Sequence, residues 1–261
     1  MSTATWCCIG ASVTGVRHTR NGKPCQDHFG YTTLPTGEVV IAVSDGAGSA
    51  PLAAEGSHAL VESALAAVAA IWEQYRPASR KAWRDVIRQA FGVAQQRLAL
   101  RAAAAGHPPR AYAATLLVVI VSKEVVVCGL VGDCAAVAVT DDGVLHSLCA
   151  PQRGQYANTT YFATHHDLDE RLDVQLLARP VQGVALFSDG LLALAMNIEK
   201  NQPYAPFFTP LFAFATEQSV DDRDKAQAEQ ELAAFLDSER VNQRTHDDKT
   251  LVLVTRLRNG T

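Results

Sequence analysis

Short connections between apolar segments in the middle of the chain restrict its fold more than any other sequence feature. Strand-like runs occupy residues 113–121, 125–131, 135–140 and 144–148, with no more than three residues between one run and the next. Parallel neighbours need a crossover of about a dozen residues or more, so these connections permit only antiparallel pairing between consecutive strands. We therefore predict an antiparallel meander over residues 113–148.

Helices and strands occur in separate groups along the rest of the chain. Apolar residues recur at helical spacing before Pro77 and again before Gly106, which predicts two long helices packed antiparallel. Further strands are expected at residues 6–13, 29–34, 38–44, 183–188 and 249–257, and further helices at residues 190–197, 207–215 and 222–236. This grouping is typical of an α+β fold with antiparallel sheets. Residues 151–178 show the least periodicity, and we interpret them as a loop-rich insertion.

Charge and cysteine content exclude several classes of protein. The net charge is -4 and the isoelectric point about 6.1, without a long basic run, so a nucleic-acid partner is not expected. The chain starts without a signal-peptide pattern, and its apolar runs are too short to cross a bilayer. The six cysteines contain no Cys-x-x-Cys pair. We expect a soluble, cytoplasmic protein that binds no membrane.

Acidic residues stand at the ends of three apolar strands. The tripeptide Ser-Asp-Gly occurs at residues 44–46 and 188–190, and Asp247 and Asp248 precede a third strand. Each occurrence alone is compatible with an ordinary turn. If the three ends meet, the carboxylates repel one another by roughly 4 kcal/mol per pair at 4 Å, unless protons or cations neutralise them. Oxygen ligands favour Mg²⁺ or Mn²⁺, so the pattern indicates a metal site.

A covalent phosphoenzyme route is not supported by these motifs. Haloacid-dehalogenase phosphatases carry a nucleophilic aspartate two residues before their Asp-Gly. The corresponding positions hold Val43 and Phe187, which have no nucleophilic group. If the chain acts on phosphate esters, it does so without an aspartyl-phosphate intermediate.

The order of the motifs along the whole chain resembles that of the metal-dependent serine/threonine protein phosphatases of type 2C, and particularly of a divergent bacterial branch. The matching segments are Gly15-x-Arg17, Gly22-Lys-Pro24-Cys25-Gln26-Asp27, Val43-Ser-Asp45-Gly46-Ala-Gly48, Val131-Gly132-Asp133, Gly154-Gln-Tyr156-Ala-Asn158, Phe187-Ser-Asp189-Gly190-Leu191 and Asp247-Asp-Lys-Thr250. The resemblance implies one domain over residues 1–261. It also implies a four-layer αββα sandwich of two antiparallel sheets flanked by helices, with residues 151–178 as a divergent flap.

The resemblance also implies a set of metal ligands for two Mn²⁺ or Mg²⁺ ions. Asp45 would bridge both ions, the Gly46 carbonyl would bind one, and Asp189 and Asp247 would bind the other. Asp133 would hold a third ion together with Asp189.

The same resemblance implies the reaction, which is hydrolysis of phosphoserine or phosphothreonine on proteins by a bridging metal-bound hydroxide. Asp27 would hold metal-bound waters, and Arg17 would bind the phosphate. The expected partners are a phosphorylated protein and a cognate serine/threonine kinase or its target.

The chain departs from the family pattern beside the phosphate-binding position. Arg17 stands ten residues before Asp27, so His18 and Arg20 are alternative phosphate ligands. Gln26 replaces a glutamate, and Ala47 replaces the histidine that many members carry after Asp-Gly. Two alternative functions therefore stay open: a pseudophosphatase that binds phosphoprotein without turnover, and a phosphohydrolase of small molecules.

Overall fold

The structure, a computed structural model, describes residues 6–152, 160–217 and 222–257. The strands are β1 (Trp6–Val13), β2 (Asp27–Thr33), β3 (Val39–Asp45), β4 (Leu116–Val121), β5 (Val126–Val131), β6 (Ala135–Thr140), β7 (Leu145–Ser147), β8 (Asp173–Leu177), β9 (Val181–Phe187), β10 (Met196–Asn197), β11 (Gln202–Pro203) and β12 (Lys249–Arg256). The α-helices are α1 (Val16–Arg20), α2 (Ala53–Gln74), α3 (Arg80–Ala104), α4 (Leu168–Arg171), α5 (Leu192–Ala195), α6 (Ala205–Thr216), α7 (Asp222–Leu236) and α8 (Glu239–Asn242).

Two five-stranded sheets form the centre of the molecule. Sheet I has the strand order β2-β3-β4-β5-β8, and sheet II has the order β1-β12-β9-β6-β7. Every neighbouring pair in both sheets is antiparallel. A separate two-stranded sheet joins β10 to β11.

Apolar clusters fill the spaces between four layers. Helices α2 and α3 pack on the outer face of sheet I through residues such as Trp72 and Phe91. Side chains of both sheets, including Ile41 and Val252, form the central cluster. Helices α6 and α7 cover the outer face of sheet II around Phe208. The predicted α+β class and αββα sandwich are therefore confirmed.

The predicted meander over residues 113–148 is wrong at one connection. Strands β4 and β5 pair as expected, but β6 pairs with β9 and β7 in sheet II instead of with β5. The change of sheet occurs at Gly132, whose φ of 120° is open to glycine and strained for other residues. A short connection excludes parallel pairing of neighbours, but it does not require the two strands to share a sheet.

The segment at residues 151–178 contains more regular structure than the sequence predicts. Helix α4 lies within it, and β8 pairs with β5 as an edge strand of sheet I. Strand β8 has only five residues, and only one of them, Val174, is buried, so its pattern is too short to distinguish from that of a loop. Helix α1 was also missed, because five residues carry no helical periodicity. Among the described residues, no helix is long and apolar enough to span a membrane.

Candidate metal centre

Three aspartates converge where the ends of strands from the two sheets meet. Asp45 ends β3, Asp133 lies in the connection from β5 to β6, and Asp189 follows β9. One carboxylate oxygen from each of the three lies within 4.8 Å of the other two. All three residues keep part of their surface open to solvent. Asp133 lies next to Gly132, where the chain passes from sheet I to sheet II.

Backbone contacts fix the position of Asp45 and the residue after it. The Asp45 N–H donates to Thr115 Oγ1 at 2.9 Å, and the Thr115 N–H donates to the Asp45 carbonyl at 2.8 Å. The Gly46 N–H donates to the Gln26 carbonyl at 3.1 Å. A Cβ at Gly46 would lie 2.7 Å from the Ala53 carbonyl oxygen, so this turn requires glycine.

Asp27 begins β2 and faces Asp45 across the strand pair. Its carboxylate is buried, and Oδ2 accepts a hydrogen bond from Thr250 Oγ1 of sheet II at 2.8 Å. Ser188, just before Asp189, also hydrogen bonds to this carboxylate. Asp27 therefore lies between the sheets, beside the three-aspartate cluster.

The crowded carboxylates have raised pKa values. Burial raises the pKa of Asp45 well above its usual value, and the charges of Asp27, Asp189 and Asp133 raise it further. Burial, assisted by Asp189, raises the pKa of Asp133 to about 7. Burial also raises the pKa of Asp27 to about 7 and raises that of Asp189. Four carboxylates in this state favour the binding of cations or protons.

The donor set fits divalent metal ions with a preference for oxygen. Asp133 Oδ1 is buried without a hydrogen-bond partner among the described residues, although a buried carboxylate oxygen normally has one. A Cβ at Gly190 would lie 2.0 Å from the Asp248 carbonyl oxygen, so the backbone beside Asp189 is also closely packed. Carboxylate and carbonyl oxygens are the ligands that Mg²⁺ and Mn²⁺ prefer.

Asp247 lies near the cluster but outside the group of three. Its charge raises the pKa values of Asp133 and Asp189, which places it within electrostatic range of both. Its Oδ1 accepts a hydrogen bond from the Asp248 N–H at 3.3 Å. Its assignment as a metal ligand stays a prediction.

Asp248 has a structural role that sequence reasoning did not assign. Its carboxylate is buried and accepts hydrogen bonds from the Gly15 N–H and the Gln26 N–H, both at 2.6 Å. His18 Nδ1 lies 2.9 Å from the same carboxylate. Asp248 thus connects β12 to the segments that carry Arg17 and Asp27. These contacts join residues that are more than 200 positions apart, so the only local signal for Asp248 in the sequence was the Asp247-Asp248 pair.

The three candidate phosphate ligands differ in their surroundings. His18 is 4% exposed and is engaged by Asp248, which favours a role in positioning over contact with substrate. Arg17 is exposed, and its Nη2 lies 3.5 Å from the Cβ position of Gly48, in the loop that follows Asp45. Arg20 is also exposed, at the end of α1. The predicted flap motif Gly154-Gln-Tyr156-Ala-Asn158 lies outside the described residues.

Comparisons with known proteins point to one family. The family model described as "Protein phosphatase 2C" matches residues 14–237. Serine/threonine-protein phosphatase 3 of Escherichia coli (strain K12) is 33% identical over 257 residues, which cover 95% of this chain and 98% of that protein.

Solved structures share the fold at low sequence identity. Serine/threonine phosphatase Stp1 from Staphylococcus aureus is 15% identical and covers 100% of this chain and 98% of its own, with a TM-score of 0.62. The serine/threonine phosphatase of S. agalactiae is also 15% identical, covers 96% of this chain and 99% of its own, and has a TM-score of 0.63. The family model and the Escherichia coli relative show that the chain belongs to the protein phosphatase 2C family of metal-dependent serine/threonine protein phosphatases.

Proposed function

We propose that the protein hydrolyses phosphoserine and phosphothreonine on proteins with two Mn²⁺ or Mg²⁺ ions. The convergence of Asp45, Asp133 and Asp189 within 4.8 Å is the observation that carries this proposal. Asp45 would bridge the ions, the Gly46 carbonyl would bind one, and Asp189 and Asp247 would bind the other. Asp133 would contribute to a third ion with Asp189, and its unpartnered Oδ1 supports that role.

Bound divalent cations supply an acidified water and neutralise the charge of the phosphoryl oxygens. The chain's own residues would bind and orient the water and the phosphoryl group. Asp27, which accepts a hydrogen bond from Thr250, would accept further hydrogen bonds from water at the edge of the cluster. Arg17, beside the Gly48 loop, would bind phosphoryl oxygens through its planar guanidinium.

We further propose the setting in which the enzyme acts. Residues 1–261 would form one type 2C domain, with residues 151–178 near the substrate. The substrate would be a cytoplasmic protein that a serine/threonine kinase has phosphorylated. The family membership and the phosphatase relative support a phosphorylated protein as the substrate.

The direct test is hydrolysis of a phosphothreonine peptide and of p-nitrophenyl phosphate by EDTA-treated protein, with and without Mn²⁺. We expect activity only with Mn²⁺, and a loss of at least about a hundredfold in Asp45→Asn and Asp189→Asn. Equal rates in the wild type and both variants would contradict the proposal. Mn²⁺ binding without turnover of either substrate would favour the pseudophosphatase.

The choice between phosphate ligands has its own experiment. Arg17→Ala should raise KM for the phosphopeptide and lower kcat/KM by about ten- to a hundredfold, since a charge-assisted contact contributes about 1.5–3 kcal/mol. Arg20→Ala, at the exposed end of the same helix, is the matched control and should leave both parameters near wild type. If instead Arg20→Ala impairs kinetics and Arg17→Ala does not, Arg20 is the phosphate ligand.

A further inference from the structure

A second group of potential ligands lies on the other face of β2, away from the aspartate cluster. His28, His58 and Glu62 each offer one nitrogen or oxygen atom, and these three atoms lie within 4.8 Å of one another. We propose that this group binds a Zn²⁺-class transition-metal ion, separately from the carboxylate centre.

The side-chain directions follow from the strand and the helix. Adjacent residues of a strand point to opposite faces, so His28 lies on the face of β2 opposite to that of Asp27. Gly30 shares the face of His28, and a Cβ there would lie 2.9 Å from Leu65 Cδ1 of α2. This face of β2 is therefore packed closely against α2. His58 and Glu62 are one turn apart on α2, so both reach the same side of the helix.

The three side chains are close and available. The rings of His28 and His58 have centroids 4.4 Å apart. His58 and Glu62 are exposed, and His28 is partly buried. Within the described residues, no hydrogen bond or ion pair connects any of these three side chains to another residue. Their ligand atoms are thus not committed to other contacts.

The spacing fits coordination after small side-chain rotations. Four-coordinate zinc has bonds of about 2.0–2.2 Å, which puts neighbouring ligand atoms about 3.4 Å apart. His58 and Glu62 are exposed and can rotate to close the remaining distance, while β2 and α2 keep the backbone fixed. Water would complete the coordination.

The ligand chemistry selects a different ion from the one expected at the carboxylate centre. Imidazole nitrogen suits Zn²⁺, Cu²⁺, Ni²⁺ and Co²⁺, whereas Mg²⁺ prefers oxygen ligands. Two imidazoles with one carboxylate therefore favour Zn²⁺ in the presence of excess Mg²⁺. Binding would connect α2 to β2, the strand that begins at Asp27.

Calorimetric titration with ZnCl₂ of the full-length protein, saturated with Mg²⁺, tests this site. We expect the wild type to bind one equivalent of Zn²⁺, and we expect the Zn²⁺ affinity to fall at least tenfold in His58→Ala and in Glu62→Gln. The matched control is His107→Ala, which replaces an exposed histidine outside this group and should keep the Zn²⁺ affinity of the wild type. The equivalent should also persist in Asp45→Asn, because that variant alters only the carboxylate centre.

A spectroscopic readout distinguishes this site from binding to carboxylates or thiols. Zn²⁺ should shift the imidazole ring resonances of His28 and His58 and leave those of His107 unchanged. Both variants on α2 replace exposed residues, and circular dichroism checks their folding. Unchanged Zn²⁺ affinity in His58→Ala, or unshifted His28 and His58 resonances, would overturn the proposal.

Discussion

Replacing Asp248 should destabilise the protein more than replacing any exposed aspartate. The Asp248 side chain is 3% exposed and accepts bonds from the Gly15 N–H and the Gln26 N–H. His18 Nδ1 lies 2.9 Å from Oδ2 of the same carboxylate, which brings a third nitrogen within hydrogen-bonding distance of it. Asp248→Ala would leave three buried donors without an acceptor.

The magnitude follows from those three donors. Each buried donor left unsatisfied costs about 1–3 kcal/mol, or about 3–9 kcal/mol in total. Entry of water and relaxation of α1 favour the lower part of that range, about 3–5 kcal/mol. Total stabilities of domains are about 5–15 kcal/mol, so the variant should be folded but much weakened. Asp248→Asn keeps one acceptor oxygen and should lose about 1–2 kcal/mol.

Urea unfolding followed by circular dichroism measures these differences in the free energy of unfolding. Asp85→Ala is the matched control, since its ion pair with Arg88 spans 3.8 Å at the surface and should contribute less than about 1 kcal/mol. A loss below about 1 kcal/mol in Asp248→Ala, with an unchanged denaturant slope, would refute the reasoning. Phosphatase activity of Asp248→Ala should also fall, because Gly15 and Gln26 precede Arg17 and Asp27.

Two further predictions concern pH and backbone packing. Folding raises the pKa values of Asp27 and Asp133 to about 7. The folded, metal-free protein therefore binds more protons than the unfolded chain, and its stability should fall as pH rises from about 4 through 7. A melting temperature of EDTA-treated protein that increases across this range would contradict the prediction. Gly56→Ala should destabilise the protein, since its Cβ would lie 2.1 Å from the Tyr112 carbonyl oxygen. Gly92→Ala, in the open middle of α3, should instead stabilise the protein by up to about 1 kcal/mol. Equal effects of the two variants in thermal melts would refute the packing argument.

Patterns with a clear period predicted the parts of the fold that they describe. Helices α2 and α3 run for 22 and 25 residues, so their apolar stripes were evident before any tertiary contact was known. The assignment of β6 to sheet II was not predictable, because alternation reports burial and not the partner strand. Strand β8 pairs through backbone groups at a sheet edge, and such pairing leaves little trace in a five-residue sequence.

The site was predictable where chemistry and local motif coincide. Asp45 and Asp189 lie at the ends of buried strands within Ser-Asp-Gly, and one oxygen of each lies within 4.8 Å of an oxygen of Asp133, whereas Asp247 lies outside this group. The contribution of Asp248 depends on hydrogen bonds to residues more than 200 positions away. The environment of Arg17 likewise depends on how α1 lies against the Gly48 loop, which no local pattern encodes.

Calorimetric titration of Mn²⁺ into EDTA-treated protein tests most directly whether the aspartate cluster is the metal centre of this phosphatase. We expect binding of at least two ions in the wild type and a loss of affinity of more than tenfold in Asp45→Asn. Asp142→Asn, which changes an exposed turn carboxylate, should bind as the wild type does. The same Mn²⁺ affinity and stoichiometry in Asp45→Asn and the wild type would contradict the account.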